Sequence, residues 1–305
     1  MSNTDTGAVL VPGDWRHRFV TTNGTRLHIA EAGEGPLVLL LHGYPQFWWA
    51  WRHQLPLVAG AGFRAVAVDL RGFGASDKPP IGYDPATLAA DIAGLVRSLG
   101  EADAVVVGHG LGGWLAWALP RLHPGVIRAV GAFGMAHPAL LGVRALPWQL
   151  AHPSWRLPAR HLLGTRIGAR ALSRSRAMEA VLRRGAAPAS RWPGSEEIRR
   201  YGQAMAMPFA ARSGADAHRS LSRAALHPDG RRLLREVNRT VYVPVLHVHG
   251  EKDRLISPGL ARRSVGYVRP GPYEWHLLAG VGHFVPEEAP VTTGRLLVDW
   301  LTRLP

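Results

Sequence analysis

Residues 105–117, VVVGHGLGGWLAW, leave the backbone few paths. Three β-branched residues, Val105 to Val107, favour an extended strand. Four glycines then crowd into residues 108–113, and Trp114, Leu115 and Trp117 open a helical pattern. A strand that reverses so sharply into a helix belongs in a sheet flanked by helices. Such a turn usually presents one reactive side chain at its tip. Here the tip residue is Gly110, which has none.

The strand half of that pattern recurs along the chain. PLVLLLHG (36–43), RAVAVDLRG (64–72), DAVVVG (103–108), VIRAVGAFG (126–134), VYVPVLHVHG (241–250) and YEWHLLAG (273–280) are largely apolar runs, several of them continuous as strands buried on both faces are. RHRFVTTNGTRLHIAEA (16–32) places Asn23-Gly24 between two strand patterns, a hairpin signal. Helical patterns cover Pro85 to Leu99, Leu111 to His123, Pro258 to Val268 and Pro290 to Leu304. This alternation predicts an α/β fold: a mostly parallel open sheet with flanking helices after an antiparallel start. Residues 137–240 break it with short helical patches and Pro147, Pro153, Pro158, Pro188 and Pro193. The expected organisation is a core of 1–136 and 241–305 with an Arg-rich helical cap, 137–240, over the carboxyl ends of the strands, where open α/β sheets bind ligands.

Composition narrows the function classes. The 305 residues are 47% hydrophobic and 19% charged, a globular balance. The absence of cysteine excludes disulfides and thiolate metal sites. No basic leader and no apolar run of about 18 residues is present, so no signal peptide and no membrane span is expected, and a cytoplasmic location is the default. The net charge of +14 is concentrated: residues 141–240 carry 19 arginines against six acidic residues. Such bias accompanies GC-rich coding, and it also suits an acidic partner or an anionic surface. No interleaved aromatics or helix-turn-helix pattern accompany it, so no nucleic acid partner is expected.

HGYPQFWWAWRHQLP (42–56), DLRGFGASDKP (69–79), GHGLGG (108–113), HGEKDRLISP (249–258) and GVGHFVPEEAP (280–290) together resemble the α/β-hydrolase fold. The first two resemble its epoxide hydrolase branch. The resemblance covers nearly the whole chain and is looser over 137–240. In that branch an elbow Asp attacks an epoxide carbon to form an ester, and a His–Asp pair directs water onto the ester. The resemblance implies a small hydrophobic substrate, an epoxide among the candidates, and no cofactor. It also implies oxyanion-hole amides from Tyr44 and Leu111, and substrate contact by Trp48.

The residues support part of that chemistry on their own terms. Asp253 follows a strand pattern in a tight turn, and His283 follows the last one, so both fall on the rim that carries Gly110. A carboxylate holding an imidazole Nδ1–H leaves Nε2 as a base. The plainer alternative is a helix-capping Asp253 and a satisfied loop His283. His247 and His249 alternate on one strand, but no third ligand at suitable spacing makes a metal site.

Two features depart from the branch. The nucleophile position is Gly110, and no shift of register supplies a replacement. Elbow nucleophiles are held at positive φ, a strain of roughly 1–3 kcal/mol for a residue with a Cβ, which glycine escapes. The fold is therefore expected to survive while the covalent step is lost. Epoxide hydrolases also hold the epoxide oxygen with two cap tyrosines. Residues 137–240 contain only Tyr201, and Ala217-His218-Arg219 stands where the later tyrosine is expected, leaving His218 as a substitute donor. The sequence thus supports three readings: a homologue without ester chemistry, an enzyme using the His283–Asp253 base alone, or a binding protein using the basic cap.

Overall fold

A computed structural model describes residues 6–141, 165–269 and 271–305. β1 (Arg16–Thr22) and β2 (Thr25–Ala32) turn at Asn23-Gly24, both at positive φ, 44° and 69°, as a two-residue type I′ hairpin requires. The apolar runs give β3 (Leu37–Leu41), β4 (Arg64–Val68), β5 (Ala104–His109), β6 (Ile127–Phe133), β7 (Val245–Gly250) and β8 (Tyr273–Leu278). The sheet order is β1-β2-β4-β3-β5-β6-β7-β8. β2 is antiparallel to β1 and β4, and the later strands pair in parallel.

Alternation along the strands supplies two apolar layers. Leu39, Leu41, Val66, Val68 and Val106 face one way, and Val38, Leu40, Ala65, Ala67, Val105 and Val107 face the other. Helix α1 (Gln54–Gly60) lies on the second layer, and α2 (Pro85–Ser98) and α3 (Leu111–Leu122) lie on the first. Asp84 caps α2 by accepting from Thr87 N, with Pro85 in its first turn.

Between β6 and β7 run α4 (Arg166–Ala171), α5 (Ser175–Gly185), α6 (Ser195–Ala206), α7 (Ala210–Arg223) and α8 (Pro228–Val237). Of the interval expected to form a cap, residues 142–164, with Pro147, Pro153 and Pro158, lie outside the described residues. Met178, Leu182, Ile198 and Tyr201 pack with Phe47, Trp49 and Phe284, on the loops after β3 and β8. Val237 of α8 joins the layer of α2 and α3 instead. After β7 come α9 (Pro258–Arg262), then α10 (Val285–Glu288) and α11 (Pro290–Leu301), whose Leu297 and Trp300 return to the second layer. Two boundaries differ from expectation. β7 starts at Val245, after Pro244, with Val241 making only an isolated bridge to Val268, and residues 263–267 tighten into a 3₁₀ turn.

Candidate active site

β5 ends at His109 and α3 begins at Leu111, so the reversal falls on Gly110 alone, at φ 54° and ψ −117°. A side chain there is strained and glycine is not. Space, however, does not demand glycine at 110 as it does nearby. A Cβ on Gly108 would stand 2.0 Å from Gly112 O, a clash nothing relieves. A Cβ on Gly110 would meet only Gly43 Cα at 3.3 Å and His283 Nε2 at 3.9 Å among the described residues. Position 110 therefore admits a Cβ if Gly43 gives by a few tenths of an ångström, and that side chain would start beside an imidazole.

His283 sits between β8 and α10, 7% exposed. Its Nδ1 lies 2.9 Å from Asp253 Oδ2. Its backbone N–H donates to Gly185 O at 2.8 Å, and its carbonyl accepts from His109 Nε2 at 2.9 Å. Burial, reinforced by the neighbouring His283, lowers His109 to about 3, which keeps that ring neutral. Among the described residues Nε2 of His283 has no hydrogen-bond partner.

Asp253, in the turn after β7, is 2% exposed. Its Oδ1 accepts from Leu255 N at 2.7 Å and Ile256 N at 3.0 Å. Its Oδ2 takes His283 and also stands 3.2 Å from His249 Nε2, an atom 3.1 Å from Ile256 O. Burial alone would raise this carboxyl, but His283 and His249 overcome it and hold Asp253 well below the usual carboxylate range. An ionised Asp253 fixes the imidazole with Nε2 turned toward Gly110.

A second buried carboxylate, Glu287, lies four residues after His283, on α10. Glu287 accepts from Arg52 Nη1 at 2.7 Å, Trp192 Nε1 at 3.1 Å, Gln46 Nε2 at 3.2 Å and the Tyr201 hydroxyl. Burial pushes it up to about 7 despite Arg52. Arg52 also reaches Glu197 Oε1 at 2.8 Å and lies 3.7 Å over the Trp49 ring. Glu288 accepts from Ala187 N, Gly282 N and Phe284 N at 2.8, 3.0 and 3.1 Å. The His283 loop is thus fastened to the helices between β6 and β7.

The structure brings Gly110, Asp253 and His283 together, and Leu111 opens α3 beside them. The Tyr44 ring stands 5.7 Å from that of His218, on α7. Two expected contacts fall elsewhere. Trp48 is fully buried under the N-terminal strands, its indole donating to Val9 O at 2.8 Å and its ring 5.2 Å from Trp15, so it does not line the Gly110 site. Tyr201 is also fully buried and commits its hydroxyl to Glu287, so it is not presented to a substrate. Sequence reasoning weighed His249 only as half of a metal pair with His247, missing its place beside Asp253, and did not single out Glu287. The signal for Glu287 was available: Arg52 and Gln54 of WRHQ meet Glu287 and Pro286 O, so two motifs far apart in the chain are one contact.

Comparison with known proteins bears on the fold and the family. A family model for the α/β hydrolase fold matches residues 36–290. The AB hydrolase superfamily protein YfhM of Bacillus subtilis (strain 168) is 30% identical over 293 residues, covering 93% of this chain and 97% of that protein. Epoxide hydrolase A of Mycobacterium tuberculosis is 30% identical over 323 residues, covering 94% and 97%. The crystal structure of epoxide hydrolase A from Mycobacterium thermoresistibile superposes with a TM-score of 0.81 at 26% identity, covering 95% and 99%. The chain belongs to the α/β-hydrolase fold family. Within it, the chain is epoxide hydrolase-like.

Proposed function

We propose that this protein is an epoxide hydrolase homologue that has lost the ester-forming step and kept the base. The observation that carries this reading is the 3.9 Å between His283 Nε2 and the point where a side chain at 110 would begin. An Asp there would stand between that base and the start of α3, as an attacking carboxylate must. Glycine offers no atom to form the ester. On this reading residues 137–240 are a cap on the core of 1–136 and 241–305. Tyr44 and Leu111 contribute backbone oxyanion donors, and His218 is the cap residue left to face a small hydrophobic substrate.

A second reading is favoured by the pairing of His283 with a strongly ionised Asp253. The base alone takes a proton from water, the water oxygen attacks an epoxide carbon, the C–O bond breaks, the released oxygen takes a proton from solvent, and His283 gives the proton it took back to solvent. Turnover of an aryl epoxide panel by the protein and by Gly110→Asp, side by side, decides between them. Activity confined to Gly110→Asp supports the first reading. Activity of the unsubstituted protein that His283→Ala abolishes supports the second. Activity in neither form overturns both.

A further inference from the structure

The space between Gly110, Gly43 and His283 has the chemistry of an anion site. α3 is a 12-residue helix whose N-cap is Gly110, with no side-chain cap and no acidic residue in its first turn. Its positive end is therefore uncompensated by any carboxylate of its own. A second, independent group points into the same place. His283 is 7% exposed, and its Nε2, without a partner among the described residues, lies 3.9 Å from where a Cβ on residue 110 would be. Its other nitrogen is already occupied by Asp253 at 2.9 Å.

We propose that this space binds a small free monocarboxylate, formate best of all, in place of the side chain the elbow lacks. The proposal rests on the reading of Gly110 as the nucleophile position. With a proton on Nε2, His283 donates to a carboxylate there, and so does the Leu111 amide that begins α3, the next amide, Gly112 N, being already given to His42 O at 3.1 Å; the anion thus faces donors on two sides. Size sets the preference. A carboxyl group tethered at 110 would stand two bonds from Cα, whereas a free anion stays at contact distance, about 3.5 Å or more. Gly43 Cα, 3.3 Å from the built Cβ, closes one wall of the space. Formate brings its oxygens nearest to His283, and each added methylene pushes them away. The expected order is formate, then acetate, then propionate.

The test follows the ring nitrogens of the full chain labelled with [¹⁵N]histidine, at constant pH and ionic strength, during titration with sodium formate. The His283 signals are identified by their loss in His283→Gln. A saturable shift of His283 Nε2 with formate is expected, weaker with acetate and weakest with propionate, while His276 on β8 stays still. Gly110→Ala should reduce the shift and Gly110→Asp should abolish it, and Gly110→Ala suffices if Gly110→Asp does not fold. No saturable shift, an equal shift in both variants, or the same response to chloride would overturn the proposal. Epoxide turnover separates this from the functional reading. An active Gly110→Asp without formate binding removes the anion site alone, and formate binding with an inactive Gly110→Asp removes the hydrolase reading alone.

Discussion

Asp253 and Glu287 are two carboxylates at one rim of the sheet, 2% and 5% exposed, yet they hold protons in opposite ways. Burial raises both alike, so burial does not separate them. The separation comes from whether the donors are shared. Asp253 has two backbone amides on one oxygen and two imidazoles at the other, and it is held well below the carboxylate range. Among the described residues Glu287 has one guanidinium, Arg52, which it divides with Glu197, and its other partners there, Trp192, Gln46 and Tyr201, are neutral; it rises to about 7. Pairs of carboxyls driven apart in this way mark a division of roles. Asp253 is suited to orienting a base, and Glu287 to fastening the helices after β6 onto the His283 loop.

The sharpest test of that division is catalytic. In whichever form of the protein turns over epoxide, Asp253→Asn should lower kcat by on the order of 10⁴-fold, because an amide neither fixes the His283 tautomer nor stabilises its imidazolium. Glu287→Gln should change kcat less than about tenfold, since it touches the base only through its neighbours. Equal losses in steady-state assays would break the comparison.

Stability against pH sharpens it next. Arg52→Met leaves Glu287 and Glu197 without their cation and should cost about 3–5 kcal/mol near pH 8 in urea unfolding, much of it recovered by adding Glu287→Gln. The ordinary value for Glu287 is 4.5 and its folded value about 7, so the folded state favours the protonated form. Its stabilising contribution is full below pH 4.5 and is lost as pH rises through 7, at about 1.4 kcal/mol per pH unit and about 3 kcal/mol in all. Glu287→Gln should flatten that slope between pH 5 and 8. Asp253 has the reverse sign: its contribution is present above its ordinary 3.8 and is lost as pH falls toward its depressed folded value. The two carboxylates therefore act in separate pH windows.

These contrasts also explain what the sequence could disclose. The Asn23-Gly24 hairpin, the apolar strands and the Gly110 reversal were legible because turn chemistry and strand period are local properties. Asp253 and His283 were legible because strand ends share one rim. Direction within an aromatic run was not. Residues Trp48–Trp51 form a 3₁₀ turn, in which neighbouring side chains diverge: Trp48 goes to Val9 and Trp15, and Trp49 to Tyr201 and Arg52. Helix α1 carried no cap and began among tryptophans, so its seven residues gave no clear period. Tyr201 read as a donor for substrate because the carboxylate that occupies it, Glu287, lies 86 residues away. Of the residues between β6 and β7, 142–164 lie outside the described structure.

The smallest expected effect probes why Asp253 is the lower of the two. His249 is fully buried, with its ring 5.9 Å from that of Trp275 and nearly parallel to it at 20°, so His249→Phe should keep the stack while removing the donor near Asp253 Oδ2. With one competitor gone, Oδ2 is a better acceptor for His283 Nδ1–H, and that hydrogen bond shortens. The proton resonance of His283 Nδ1–H should then move downfield, and His249→Gln, which can still donate, should restore part of the original position. The effect on turnover should stay below about tenfold, because the imidazole keeps its carboxylate. An unchanged resonance would mean that His249 donates to Ile256 O, 3.1 Å away, and not to the carboxylate. In that case His283 and two backbone amides hold Asp253 ionised, and the contrast with Glu287 reduces to a shared guanidinium.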